Sequence, residues 1–283
     1  MTKDVSSLYP EEPSNRIVSG YAPVNGLEMY YEIHGTGKPL VLLHGAFSAI
    51  GTSFGKVLPS LAQTRQVIAF ELQGHGHTAD IGRPLSVEQM ADDVADALRY
   101  LGIERADLFG YSMGAGVALQ VVIRHPGVVR KLVLASVTYL LDGVHPGLMD
   151  GLAEMKPEMM YGSPWHVEYT QIAPDPEYFD TLFAKKTEMD RGIQNLPAET
   201  IRAIRAPTLL IIGDSDIVRP EHSVEMFRLL GGGVAGDIAG LPQSRLAVLP
   251  GTTHVTLADR TDWLNSMVTE FLDVPMPDLG EAA

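Results

Sequence analysis

The sequence predicts an α/β fold, a mostly parallel, doubly wound sheet of about eight strands that carries an inserted, mainly helical cap. Three observations predict it. Short continuous apolar runs alternate with helical patterns along most of the 283 residues, as strands covered on both faces require. That alternation fails between Tyr139 and Arg205, where Pro146, Pro157, Pro164, Pro174, Pro176 and Pro197 interrupt the chain and no strand run occurs. Finally, in Gly110-Tyr111-Ser112-Met113-Gly114 a serine stands between glycines where a strand-like run becomes a helix-like one.

Each element has its own warrant. Residues 1–15 are polar and acidic, hold Pro10 and Pro13, lack the basic-then-apolar order of a signal peptide, and are expected to be disordered. Ile17 to Ala22 and Leu27 to Ile33 flank Asn25-Gly26, a strong hairpin signal, so two antiparallel strands open the fold. Leu40-Val41-Leu42-Leu43 and Val67-Ile68-Ala69-Phe70 follow as buried strands. Ser86 and Gln89 form a capping box, after which Val87, Met90, Val94, Leu98 and Leu101 line one helical stripe that Gly102 ends. Asp107 to Tyr111 and Lys131 to Ala135 read as strands around a helix that runs from Ala115 to His125 and stops at Pro126.

Residues 139–204 are expected to form the cap, leaving 16–138 and 205–283 as the core. Met149, Met155, Met159, Met160, Trp165, Tyr169, Tyr178 and Phe183 are expected to build the cap's own small core, with some of them lining an apolar pocket over the serine. Leu209 to Ile212 and Leu246 to Leu249 complete the strands, and Pro220 starts a helix.

The chemistry follows from the turn at Ser112. A strand-to-helix turn this tight strains the serine backbone, leaves no room for a side chain at the flanking glycines, and holds the hydroxyl at the positive end of a helix. A serine hydroxyl is a poor nucleophile without a base to take its proton. His254 is the candidate, because it follows the last strand on the sheet edge where the catalytic groups of open α/β sheets gather. The carboxylate that fixes its tautomer is expected from Gly213-Asp214-Ser215-Asp216, with Asp216 preferred: Asp214 leaves with the strand and suits an Asx turn or helix cap. Two backbone donors must await the developing oxyanion, and the amides of Met113 and Ala46 are placed to supply them. His44 is expected to pin the Ala46 loop rather than act as a second base.

With these residues in view, the chain between about Val18 and Leu272 resembles an α/β-hydrolase-fold serine hydrolase. Ser112, Asp216 and His254 occur in that family's order, and Gly74-His75-Gly76 is similar to a turn common in it, with Glu71 at its usual acidic position. The resemblance implies a carboxylic-ester hydrolase acting on small to medium, largely apolar substrates through an acyl-serine. Lactone opening, amide hydrolysis, perhydrolysis and carbon–carbon bond cleavage could use the same groups. The family's ring-fission-product hydrolases usually carry a more glycine-rich loop than His44-Gly45-Ala46-Phe47-Ser48, which disfavours the last. Ser112 in place of aspartate argues against dehalogenase or epoxide-hydrolase chemistry, and a small-molecule receptor of this fold is the less favoured alternative.

Composition narrows the partners. A net charge of −14 repels nucleic acid and anionic membranes and chiefly serves solubility; if it also acts on the site, neutral substrates are expected to be preferred over anionic ones. No apolar run approaches the ~18 residues that span a bilayer, and with no cysteine and no export signal the expected location is cytoplasmic. No cofactor or metal is implied. Gly231, Gly233 and Gly236 have dinucleotide-binding spacing but follow a helix, and His75 and His77 lack supporting ligands.

Overall fold

The structure is a computed structural model that describes residues 17–275, so the segment 1–15 expected to be disordered lies outside the described residues. The strands are β1 (Val18–Val24), β2 (Leu27–His34), β3 (Lys38–Leu43), β4 (Arg65–Phe70), β5 (Ala106–Tyr111), β6 (Val129–Ala135), β7 (Thr208–Ser215) and β8 (Arg245–Thr253). They form one sheet in the order β1-β2-β4-β3-β5-β6-β7-β8. The first two pair antiparallel around Asn25 and Gly26, both at positive φ, and β2 meets β4 antiparallel; every later pairing is parallel.

Two apolar layers cover the sheet because strand side chains alternate between faces. Val41 and Leu43 point into one layer, Leu40 and Leu42 into the other. The first layer is closed by α3 (Val87–Tyr100) and α4 (Met113–Arg124), the second by α1 (Ile50–Phe54), α2 (Leu58–Leu61) and the last helix, Thr261–Asp273. α3 starts as its sequence predicts, with Ser86 accepting the Gln89 amide at 3.3 Å, but the reciprocal half of the capping box is replaced: the Ser86 hydroxyl donates to Glu88. Its end is a Schellman turn, with Gly102 at φ +70°, the Gly102 amide on Arg99 O and the Ile103 amide on Leu98 O.

Between β6 and β7 the described residues hold no strand, only α5 (Leu148–Glu154), α6 (Pro164–Ile172), α7 (Phe179–Arg191), α8 (Ala198–Arg202) and short 3-10 turns. This is the helical cap. One antiparallel bridge, Val144 with Val218, ties its first residues to the loop after β7. Beyond β7 come α9 (Pro220–Leu229) and α10 (Gly236–Ala239), and the helix Thr261–Asp273 is α11. Gly231 and Gly233 lie in the connector after α9, both at positive φ. No helix among the described residues is long and apolar enough to cross a membrane.

The side on which successive strands are added changes at β3, which has β4 on one side and β5 on the other, both parallel to it. At such a switch point the two following connections leave toward opposite faces and open a crevice at the carboxyl ends of the strands. The segments beginning at His44 and Ser112 border it.

Candidate active site

Ser112 sits between β5 and α4 at φ 54°, ψ −119°, a conformation strained for a residue with a side chain. The neighbouring contacts hold it there. Its amide donates to Ala135 O at 2.9 Å, and its carbonyl accepts the amides of Ala115 and Gly116 to open the helix. A Cβ at Gly110 would lie 2.3 Å from Gly114 O, and one at Gly114 would lie 2.0 Å from Leu43 O and 2.5 Å from His44 O. Glycine is therefore required on both sides by close packing of backbone on backbone.

The structure brings His254 and Asp216 to this serine. His254 Nε2 is 2.9 Å from Ser112 Oγ, and Nδ1 is 3.1 Å from Asp216 Oδ1. Since a carboxylate only accepts, the imidazole proton belongs on Nδ1, which leaves the Nε2 lone pair facing the serine hydroxyl. Asp216 is buried and its oxygens are saturated: Oδ1 also accepts the Val218 amide at 3.2 Å, and Oδ2 accepts the Gly213 amide at 3.2 Å and the Ser136 hydroxyl. Burial alone would push this carboxyl up, but the bonds from His254, Ser136 and Val218 outweigh it and hold the pKa below the ordinary carboxylate value.

Several supporting residues were not singled out from sequence. Ser136, at the end of β6 with φ 56°, aims its hydroxyl at Asp216. The available signal was a polar residue at the carboxyl end of the strand beside β7. Tyr111 donates its hydroxyl to His254 O at 2.8 Å and stacks its ring on the imidazole, centroids 5.5 Å apart. Asp214 leaves with the strand as expected, but it is neither an Asx turn nor a helix cap. Its carboxylate accepts the amides of Gly251 at 2.9 Å and Thr252 at 3.2 Å, bracing the segment before His254, and the residue capping α9 is Arg219. That segment is itself a continuation of β8 through Thr253 rather than a free loop.

The turn after β3 lies against the serine: a Cβ on Gly45 would be 3.2 Å from the Tyr111 ring and 3.5 Å from Ser112 Cβ. Fully buried His44 pins it, with Nδ1–H donating to Gly45 O at 2.7 Å and Nε2 accepting the Leu72 amide at 2.9 Å. Burial lowers its pKa to about 4 against the opposing pull of Gly45 O, so the ring is neutral. Among the described residues neither the Ala46 nor the Met113 amide donates to a protein acceptor. Beneath the turn, Glu71 is buried, pairs with His77 Nδ1 at 2.9 Å and accepts the His77 amide; its carboxylate fills the space a side chain on Gly76 would need.

The cap's aromatic residues pack on this turn. Phe47, at φ 60°, stacks on Phe183 at 5.3 Å and meets Phe179 at 6.1 Å, with Tyr169 edge-on to Phe179. A cleft of about 680 Å³ opens elsewhere, between α5, α7 and Arg219, lined by Leu141, Val144, Met149, Leu152 and Thr187 among others. Neither Ser112 nor His254 lines it, so the expected apolar pocket over the serine is not this cleft.

Residues 38–186 match the alpha/beta hydrolase fold family. A protein of Azorhizobium caulinodans that bears the provisional name carbamate hydrolase RutD is 27% identical over 89% of this chain and 97% of its own length. The 2-hydroxymuconate semialdehyde hydrolase of Pseudomonas sp. (strain CF600) is 30% identical over 66% of this chain and 73% of its own. Among solved structures, a serine hydrolase involved in carbazole degradation (CarC enzyme) superposes with a TM-score of 0.73 at 21% identity, covering 92% of this chain and 100% of that one.

Proposed function

This chain belongs to the alpha/beta hydrolase fold family, and from that premise we propose that it is a serine hydrolase cleaving carboxylic esters of small to medium, largely apolar substrates. Ser112 Oγ attacks the ester carbonyl while His254 Nε2 takes the hydroxyl proton. Asp216 keeps the imidazole in the required tautomer and stabilises the imidazolium. The Ala46 and Met113 amides receive the developing oxyanion. His254 then gives its proton to the leaving alcohol, an acyl-serine remains, and water activated by the same imidazole releases the acid. One observation carries this reading: His254 bridges Ser112 and Asp216, with Nε2 2.9 Å from Ser112 Oγ and Nδ1 3.1 Å from Asp216 Oδ1.

The test is steady turnover of a chain-length series of p-nitrophenyl esters beside lactones and amides. Ser112→Ala is expected to reduce kcat by at least ~10³-fold, the scale of triad deletions; near-normal turnover by that variant would refute the assignment. Repeated turnover also separates an enzyme from a receptor that merely retains a reactive serine. A second reading, carbon–carbon bond hydrolysis, is favoured by the 2-hydroxymuconate semialdehyde hydrolase similarity, because that named substrate contains no ester. Turnover of a vinylogous diketone in the same panel, with esters inert, would select it.

A further inference from the structure

Glu168 stands on α6 in the cap and takes no part in the chemistry above. Its carboxylate accepts the Thr52 amide at 3.1 and 3.2 Å, and also the Thr52 hydroxyl. Thr52 Oγ1 is 2.7 Å from Ser48 Oγ, Ser48 Oγ is 2.6 Å from Ser53 Oγ, and Ser53 Oγ accepts the Gly45 amide at 3.2 Å. A single arrangement of protons serves this whole chain: Gly45 N–H to Ser53, Ser53 to Ser48, Ser48 to Thr52, Thr52 to Glu168. The ionised carboxylate, an acceptor only, imposes that direction. The competing contact of Ser48 Oγ with Ala49 O is longer, at 3.3 Å.

Hydrogen bonds aligned head to tail polarise one another, most where water is excluded, and Ser48 and Ser53 are both buried. The chain ends on the amide of Gly45, the residue before Ala46. Gly51 is part of the same device, since a Cβ there would lie 2.2 Å from the Glu168 carboxylate. We infer that Glu168 is a positioning residue which, from the cap and through Thr52, Ser48 and Ser53, fixes the turn that aims the Ala46 amide at the substrate oxygen. Seating of the cap thereby sets the readiness of the oxyanion site. The inference rests on the serine-hydrolase reading but does not require the substrate to be an ester.

The experiment measures the rate at which a fluorophosphonate labels Ser112, alongside ester kcat and KM. In labelling, the Ser112 Oγ–phosphorus bond forms, the phosphorus–fluorine bond breaks, fluoride leaves and the serine proton passes to His254; the phosphoryl oxygen needs the same donors as a carbonyl oxygen. Glu168→Ala and Thr52→Val are expected to slow labelling and kcat together by about tenfold, short of the ~10²–10³ lost when an oxyanion donor is removed outright. KM should stay within about twofold, because the aligned donors act on the transition state rather than the bound ground state. Glu168→Gln, whose amide oxygen still accepts the Thr52 hydroxyl, should recover to within about threefold of wild type, and the Glu168→Ala/Thr52→Val double variant should be no slower than either single one.

Wild-type labelling and kcat in Glu168→Ala with a raised KM would show that Glu168 only docks the cap, and would overturn the inference. So would Glu168→Gln as slow as Glu168→Ala. Thr52→Val, close to isosteric, carries the same test where Glu168→Ala fails to fold. Labelling without ester turnover in the wild type would remove the ester reading and leave this inference standing on the labelling rates; no labelling at all would end both.

Discussion

Asp214, at the end of β7, and Asp216, just beyond it, are two positions apart, yet their carboxylates face different partners: the amides of Gly251 and Thr252 for the first, the His254 imidazole for the second. Their amide substitutions should separate accordingly. Asp216→Asn can no longer oblige Nδ1 to carry the proton, and is expected to lower kcat by ~10⁴-fold with the fold intact. Asp214→Asn loosens the approach of β8 and is expected to cost less than about tenfold in kcat, with a lower unfolding temperature, since it alters placement and not protonation. Kinetics and thermal unfolding of the two variants check this, and equal losses would contradict it. The sequence favours Asp216 because a strand carries Asp214 onward while the turn carries Asp216 back, and the structure sets Asp216 Oδ1 3.1 Å from His254 Nδ1. Ser136 and Tyr111 were not legible as supports, because their partners lie 80 and 143 residues away.

At the scale of an element, the unit β5–Ser112–α4 shows how local pattern becomes geometry. An apolar run, one serine and a glycine on either side dictate strand, turn and helix; the positive φ of Ser112 then follows from packing that only Gly110 and Gly114 permit. Gly114→Ala should destabilise the protein by about 3 kcal/mol or more, since a methyl group would press on the immobile backbone of Leu43 and His44. Gly116→Ala, two residues on in the same helix, meets only Val87 Cγ1 at 3.8 Å and should be neutral or stabilising by up to ~1 kcal/mol. Urea denaturation of both variants reads the contrast directly. Other element-level expectations were met less fully for a common reason. The N-terminal signal of α3 correctly located its first turn but not the partner of the Ser86 hydroxyl, and the extension of β8 to Thr253 depends on the neighbour β7, with which Thr253 pairs across from Ser215.

For the molecule as a whole, buried histidines make stability depend on pH. Burial lowers His44 to about 4 and, with the neighbouring His44 adding to it, His75 to about 3; burial lowers His222 as well. Unfolded imidazoles titrate near 6.5. Below that pH the unfolded chain binds protons that the native one refuses, so the stability from these rings is complete above about 6.5 and declines as the pH falls, by ~1.4 kcal/mol per unit for each of His44 and His75 down to about 4. Glu71 and Asp107, raised chiefly by burial, offset part of the decline because their native forms take up protons first. The urea midpoint should therefore be lower at pH 5 than at pH 7, and an unchanged or higher midpoint at pH 5 would contradict it.

Read alone, the chain determined a mostly parallel sheet, the succession of its strands, the helical nature of the cap, and the placing of Ser112, Asp216 and His254 at strand ends. Those are properties of short windows, in which hydrophobic period and glycine position already constrain the backbone. Tertiary structure alone decided what the cap touches: Phe47 packs on Phe183 and Thr52 on Glu168, while the cleft by α5 and α7 is not lined by the serine. Such contacts join residues more than a hundred positions apart, and no periodicity records them, because their free energy comes from surfaces that do not exist until both sides have folded.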